Sequence, residues 1–161
     1  MKILYVEHDD DNLYMLKTRL ERSGNFEVLA VEDSEQGCKL AVTERPDVIL
    51  IDLEMPVMDR WEPVRTLKKD PRTRNIPIIG MSAYAEASER EKAIATGCDE
   101  FNAKPIEFER LVATIRRVFA EPNVNREPGA VLIREVGLWL YCRTSTKYFA
   151  ARPKRATCRV W

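Results

Sequence analysis

The strongest constraint on the fold is an alternation that repeats along the first 120 residues. Five short apolar runs rich in β-branched residues are separated by stretches whose apolar residues recur at helical spacing. Continuous apolar runs are typical of strands in a parallel sheet that helices cover on both faces. The predicted fold class is therefore α/β, a doubly wound five-stranded parallel sheet. The flavodoxin-like strand order 2-1-3-4-5 is the common one for such a chain.

Turn and cap residues set the predicted boundaries of these elements. Ser34 is predicted to cap the N-terminus of the second helix, and Gly97 the C-terminus of the fourth. The predicted strands are residues 2–7, 26–31, 47–52, 76–81 and 99–103. The predicted helices are a first one with the stripe Leu13, Leu16 and Leu20, closed by Gly24, and four more over 34–44, 59–69, 85–96 and 108–119.

The composition of the chain changes after Ala120. The segment EPNVNREPG that follows is typical of a linker or turn. Residues 1–120 contain 18 Lys and Arg against 23 Asp and Glu, whereas residues 121–161 contain 8 against 3. The prediction is a core domain at 1–120 and a basic C-terminal extension at 121–161, which is either an arm or a flexible tail.

The sequence argues against a membrane, zinc or disulfide-stabilised protein. No apolar stretch approaches the roughly 20 residues that a membrane helix requires, and the N-terminus enters a strand rather than a signal peptide. The four cysteines form no CxxC pair and have no histidine at ligand spacing. We therefore expect a cytoplasmic protein with free thiols and no membrane partner.

Four of the predicted strands end in polar residues that can bind or accept a phosphoryl group. The third strand ends at Asp52, and the other runs end at Glu7 with His8, at Ser82 and at Lys104. Because the carboxyl ends of parallel strands line one crevice, we expect these residues to converge on one pocket.

These residue types suit one kind of chemistry. A carboxylate such as Asp52 can attack phosphorus only if cations offset the negative charges of both groups. Lys104 would pair with Asp52 and then with the phosphoryl oxygens, to which Ser82 would donate a hydrogen bond. Mg²⁺ would take oxygen ligands from Glu7 and Asp52, and the backbone carbonyl of Glu54 could complete its shell. The sequence thus indicates a phosphoacceptor site with Mg²⁺ as cofactor.

Four segments connect the chain to a known family: ILYVEHDDDN, DVILIDLEMPVMD, PIIGMSAYA and GCDEFNAKPIEFERL occur in order and at that family's spacing. Over residues 1 to about 120 the chain resembles a CheY-like response regulator receiver domain, as in a single-domain response regulator of a two-component system. The resemblance implies a phosphoacceptor at Asp52, a hydroxyl switch at Ser82, an aromatic switch at Phe101, a phosphate-binding Lys104, and a cis bond between Lys104 and Pro105.

The resemblance also implies partners and a mode of action. The phosphoryl donor would be a sensor histidine kinase or a phosphotransfer protein. The phosphorylated domain would signal to a protein target through the face formed by the fourth helix, fifth strand and fifth helix. Such a protein is a phosphoprotein switch with at most self-directed phosphotransfer and dephosphorylation, and is not an enzyme.

Two residues depart from the family's pattern. The second position of the acidic pair, a direct Mg²⁺ ligand in the family, is His8, and imidazole suits softer ions. Mg²⁺ binding is therefore expected to be weak. Three interpretations stay open: Asp9 replaces the lost ligand, a different metal binds, or a protonated His8 supplies positive charge. Arg60 stands where the family usually has glycine, and it would be strained if that position had a positive φ.

Three other functions are weighed against an active switch. His8 and Arg60 would also fit a pseudo-receiver, a protein-binding module whose site accepts no phosphate. The basic extension suggests nucleic-acid binding, but it contains no recognised DNA-binding motif. A flexible, solvated tail and a dimerisation arm built on its apolar run 131–142 are both favoured over it. An aspartyl phosphoesterase would carry DxD after its first strand, whereas this chain has DLE after its third.

Overall fold

Strands and helices alternate through the part of the chain that the computed structural model describes, residues 1–55 and 59–120. Each strand is short, and each is followed by one helix. The strands are β1 (Lys2–Val6), β2 (Glu27–Val31), β3 (Val48–Asp52), β4 (Ile78–Ser82) and β5 (Glu100–Ala103). The helices are α1 (Asp10–Arg22), α2 (Ser34–Glu44), α3 (Glu62–Lys69), α4 (Ala87–Thr96) and α5 (Phe108–Ala120).

The strands form one parallel sheet in the order β2-β1-β3-β4-β5. This confirms the predicted fold class and strand order. All five residues of β3 are buried, as are all five of β4. The predicted strand boundaries differ from the observed ones by at most two residues. Differences of this size are usual, because the last residues of a strand are assigned by where its regular hydrogen bonding ends.

Helices cover both faces of the sheet, and each face has its own apolar core. Successive side chains of a strand point to opposite faces, so each buried strand supplies both cores. One core joins the sheet to α2, α3 and α4 and includes Leu4, Val6, Ile49, Ile51, Ile78, Ala41, Val64, Leu67 and Ala93. The other joins it to α1 and α5 and includes Ile3, Tyr5, Leu50, Ile79, Met81, Leu16, Leu20, Leu111 and Ile115.

One predicted N-cap and one predicted helix start are wrong, and aspartates explain both. The N-cap of α2 is Asp33 rather than Ser34, because the Asp33 carboxylate accepts a hydrogen bond from the backbone N–H of Gln36 at 3.0 Å. The third helix begins at Glu62 rather than at Asp59. Asp59 instead accepts a hydrogen bond from the backbone N–H of Trp61 at 2.9 Å, an aspartate turn that precedes the helix.

The fourth helix begins at Ala87, two residues after the predicted start, and ends at its predicted cap. Gly97 has a φ of 125°, and its N–H donates to the carbonyls of Ala93 and Ile94. A residue with a side chain rarely adopts this φ, so glycine is required there.

The predicted extension at 121–161, with its possible dimerisation arm and nucleic-acid contacts, lies outside the described residues. The division of the chain at residue 120 therefore stays a prediction. Within the described ranges, every helix is too short or too polar to cross a membrane.

Replacing Gly97 with alanine is expected to destabilise the domain by about 1–2 kcal/mol. The new Cβ would meet both an unfavourable φ and the Cγ of Lys68, 2.9 Å away. Gly24→Ala is the matched control, since Gly24 also has a positive φ of 89° but no atom within 4 Å of the Cβ that alanine would add. Urea unfolding measures both losses, and a loss at Gly97 no larger than that at Gly24 would contradict the role of the Lys68 contact.

Candidate functional site

The carboxyl ends of β1, β3, β4 and β5 place the predicted site residues at one edge of the sheet. Asp52 is the last residue of the central strand β3, and Ser82 the last of β4. Glu7 directly follows β1, and Lys104 directly follows β5. Asp52 pairs in register with Met81, and Ser82 with Ala103, so the carboxyl ends of these strands lie at about the same level in the sheet. Parallel pairing thus brings together residues that are distant in sequence.

Two buried carboxylates and one ammonium group form the centre of this site. Asp52 is 1% exposed and Glu7 is fully buried. The Nζ of Lys104 lies 3.1 Å from Oδ2 of Asp52 and 2.9 Å from Oε2 of Glu7. Two neighbouring buried anions repel each other and are poorly solvated, so the ammonium group offsets a large unfavourable term.

The burial and charges of this cluster shift the pKa values of its members. The pKa of Glu7 is raised overall, mainly by burial. The hydrogen bond from Lys104 lowers this pKa, and the neighbouring Asp52 raises it further. Burial disfavours the charged form of Lys104, but the hydrogen bond to Glu7 and the charge of Asp52 outweigh it, so the pKa of Lys104 is raised overall. Lys104 therefore stays protonated at neutral pH and can serve as a permanent cation.

Glu7 is held in place by further hydrogen bonds. The Tyr5 hydroxyl donates to Oε2 of Glu7 at 3.2 Å, and the backbone N–H of Asp9 donates to Oε1 at 3.3 Å. Burial and then the charge of Glu7 raise the pKa of Tyr5, so its hydroxyl keeps its proton and remains a donor. The orientation of Glu7 is thus fixed from several sides.

His8 occupies the rim of the same cluster. Its Nδ1 lies 3.3 Å from Oε1 of Glu7 and 3.3 Å from Oδ2 of Asp52, and its side chain is 44% exposed. Asp9 does not join the cluster: its carboxylate accepts a hydrogen bond from the backbone N–H of Asn12 at 2.8 Å and caps α1. The helix cap thus competes with any role of the Asp9 side chain as a metal ligand.

The Glu54 side chain has a position that the sequence did not suggest. Its backbone N–H donates to Oδ1 of Asp52 at 3.0 Å, while its Oε1 accepts a hydrogen bond from the Ser82 hydroxyl at 2.8 Å. The backbone N–H of Ala83 donates to the same oxygen. The prediction gave Glu54 only a backbone carbonyl role. A glutamate two residues beyond Asp52 is long enough to reach the end of β4, and that length was the available signal.

Phe101 and Arg60 have partners other than Glu7 and Asp52. Phe101 is 5% exposed on β5, where it pairs with Gly80 of β4. Arg60 does not have a positive φ, so the strain considered for it is not present. Its guanidinium instead pairs with Glu89 of α4 and lies 5.0 Å from the centre of the Trp61 ring, a cation–π distance. The Lys104–Pro105 peptide bond is cis.

Comparison with known proteins matches residues 3–116 to the response regulator receiver domain, which is more than half of the chain. The chain belongs to the response regulator receiver family. Within it, the polar-differentiation response regulator DivK of Brucella anthropi is 31% identical over 114 residues, covering 71% of this chain and 92% of DivK. This receiver is thus DivK-like in sequence over almost the whole of that relative.

Solved structures agree with this assignment. The chemotaxis response regulator CheY4 of Vibrio cholerae matches with a TM-score of 0.67 and 27% identity, over 73% of this chain and 97% of CheY4. The receiver domain of a sensor histidine kinase from Pseudomonas aeruginosa PAO1 matches with a TM-score of 0.67 and 30% identity, over 74% and 98%. That structure has a magnesium ion coordinated in the active-site cleft. Receiver domains are signalling switches that interact with histidine kinases or phosphotransfer proteins and with downstream targets.

Replacing Lys104 with methionine is expected to destabilise the domain by on the order of 2 kcal/mol near pH 7.5, because two buried carboxylates lose their ammonium partner. The loss should shrink as the pH falls, since the pKa of Glu7 is already raised and protonation removes the uncompensated charge. Urea unfolding at several pH values measures the effect.

The matched control for this prediction is Lys39→Met. Lys39 pairs with Glu35 at the surface of α2, where both side chains are more than two-thirds exposed, so the change should be small. The double variant Lys104→Met/Asp52→Asn should recover part of the lost stability, because it removes one of the unpaired anions. A pH-independent loss with no recovery would contradict the charge-pairing explanation.

Proposed function

We propose that this receiver domain accepts a phosphoryl group on Asp52 from a sensor histidine kinase or a phosphotransfer protein, and then signals to a protein partner. One observation carries the proposal: a buried carboxylate ends the central strand with a lysine ammonium group 3.1 Å from one of its oxygens. A buried Asp with no such partner would be a poor acceptor, because the single charge of the carboxylate is replaced by up to about two negative charges on the acyl phosphate. The proposed location is the cytoplasm, where soluble phosphodonors are found.

The transfer itself follows from the positions of these side chains. A carboxylate oxygen of Asp52 forms a bond to phosphorus as the bond from phosphorus to the donor breaks, and the donor leaves with the electron pair of that bond. Lys104, which pairs with the Asp52 carboxylate, is close enough to pair with the phosphoryl oxygens after the transfer. The donor set at the end of β4, the Ser82 hydroxyl and the Ala83 N–H, would bind the same oxygens.

The output would pass from Ser82 to the face formed by α4, β5 and α5. Ser82 pairs in register with Ala103, and two residues earlier Gly80 pairs with Phe101. On that face Glu100 of β5 pairs with Arg90 of α4 and with Arg117 of α5. A shift of β4 and β5 would therefore reach both helices, which supports this face as the site of partner binding.

Receiver domains bind Mg²⁺ at this position, and the residues of this chain fit that ion only in part. When bound, Mg²⁺ supplies positive charge that offsets the phosphoryl oxygens. Glu7 and Asp52 offer suitable oxygens, but His8 offers an imidazole nitrogen in the third position. We therefore expect weak Mg²⁺ binding, and the transfer as described uses only Lys104, Ser82 and Ala83.

Treatment with acetyl phosphate is expected to add one phosphoryl group to the protein, detected as a single gain in intact mass. The Asp52→Asn variant should show no gain, because its amide is not a nucleophile towards phosphorus. Asp11→Asn is the matched control, since Asp11 is exposed in the first turn of α1 and should leave labelling unchanged. Labelling that persists in Asp52→Asn would overturn the proposed acceptor.

The Glu54 side chain favours a second candidate function, a pseudo-receiver that binds its partner without phosphorylation. Its carboxylate already engages the two donors at the end of β4 that a phosphoryl oxygen would use. If this contact is strong, the acceptor site is closed to phosphate. The wild-type protein would then show no mass gain at any concentration of acetyl phosphate, with or without a divalent metal.

The Glu54→Ala variant separates these two functions. Removing the carboxylate frees Ser82 and Ala83 and removes a negative charge next to the acceptor, so we expect labelling to become several-fold faster, on the order of 1 kcal/mol in the barrier. Glu86→Ala is the control, because Glu86 is exposed at the N-cap of α4. Equal rates in wild type and Glu54→Ala would show that the Glu54 carboxylate does not compete with phosphate.

A further inference from the structure

The side chains of Glu7, His8 and Asp52 place three potential metal ligands around one point. The Nδ1 of His8 is 3.3 Å from one oxygen of each carboxylate, and the three ligand atoms lie within 4.8 Å of one another. The two 3.3 Å separations from His8 match an ion bound through bonds of about 2.0–2.2 Å, at angles between those of an octahedron and a tetrahedron. The side chains are thus already spaced for coordination.

The buried oxygen of Asp52 gives a second, independent indication. Oδ2 of Asp52 accepts no hydrogen bond from the described part of the chain, although Nζ of Lys104 lies 3.1 Å away. Most buried carboxylate oxygens are hydrogen-bonded, and exceptions are found where a ligand or ion completes the site. This is the same oxygen that lies 3.3 Å from His8. This oxygen has an ion-pair partner in Lys104 but no hydrogen-bond donor, and it lies close enough to the His8 nitrogen for both atoms to bind one ion.

The mixed nitrogen and oxygen donors determine which ion suits this position. Mg²⁺ prefers six oxygen ligands in near-octahedral geometry, and it gains little from imidazole. Zn²⁺ and Ni²⁺ bind imidazole nitrogen well and accept carboxylate oxygens alongside it. Replacing an oxygen ligand by His8 therefore weakens the site for Mg²⁺ and strengthens it for these ions.

We propose that Glu7, His8 and Asp52 form a metal site that prefers a divalent first-row transition ion, such as Zn²⁺, to Mg²⁺. The inference deepens the proposed function, since it changes the metal at the phosphoacceptor site, but metal binding needs no phosphoryl transfer. Three protein ligands leave coordination positions for water or for a phosphoryl oxygen, as in zinc sites that act on substrates. The ammonium group of Lys104 opposes any cation here, so the affinity will be lower than that of a structural zinc site.

The test uses the fact that His8 is the single histidine of the chain. Full-length protein without a polyhistidine tag, labelled with ¹⁵N in histidine, gives imidazole nitrogen resonances from one residue only. Titration with Zn²⁺ should shift these resonances to saturation, at an apparent affinity at least about ten-fold higher than that for Mg²⁺. Zinc bound to cysteine thiols elsewhere in the chain would leave the His8 resonances unchanged.

The His8→Asp variant provides the reciprocal experiment. It restores an all-oxygen ligand set, so calorimetry should show tighter Mg²⁺ binding than in wild type and weaker Zn²⁺ binding at this site. His8→Ala measures the background from the thiols. Imidazole resonances that do not move with Zn²⁺, or His8→Asp with an unchanged preference, would overturn the inference; the wild-type titration decides alone if a variant fails to fold.

This outcome can be separated from that of the proposed phosphorylation. The metal titrations contain no phosphodonor, and the mass measurement on Asp52 needs no zinc. A protein that binds Zn²⁺ through His8 but gains no phosphate would support the metal site and contradict the phosphoacceptor. A protein that gains phosphate while its His8 resonances do not shift with Zn²⁺ would support the phosphoacceptor and contradict the metal site.

Discussion

The arrangement of this site depends on one ammonium group between two buried carboxylates. Asp52 ends β3 and Glu7 directly follows the neighbouring β1, so parallel pairing brings their charges together at the carboxyl ends of the strands. Lys104 comes from the other side of the sheet, after β5, and contacts both. The sheet must therefore be complete, from β1 to β5, before these charges are compensated. This single cation links the fold to the site, because both buried carboxylates would be left without a compensating charge in its absence.

Two side chains make this receiver different from a plain acceptor site, and both act on that charge cluster. His8 introduces a nitrogen donor beside Asp52, and Glu54 places a third carboxylate at the Ser82 hydroxyl. One changes which cation the cluster favours, and the other introduces an internal anion where phosphate oxygens would bind. Both side chains thus change the balance of charge around Asp52. The electrostatics of this site are thus expected to depend mainly on these two side chains.

The fold could be predicted from the sequence because it depends on periodicity, which is a local property. Alternating apolar runs and helical stripes predicted the elements and the convergence of strand ends, while the strand order was predicted as the common one for such a chain. The errors are local too: Asp33 is the N-cap that was predicted at Ser34, and Asp59 precedes the helix predicted to begin with it, because both side chains accept hydrogen bonds from backbone N–H groups. The contact between Glu54 and Ser82 was missed: the length of a glutamate suggests its reach, but only the folded sheet fixes the distance from the turn after β3 to the end of β4.

The pairing of Glu100 with Arg90 and Arg117 has a consequence for recognition. One carboxylate on β5 pairs with an arginine from each of the two flanking helices, so a single negative charge is shared between two positive ones. An acidic group on an approaching protein could replace Glu100 as the partner of either arginine, at little electrostatic cost. Glu100 would then be left to the other arginine. The surface is thereby suited to exchange of ion pairs, in which docking and the relative position of the two helices change together.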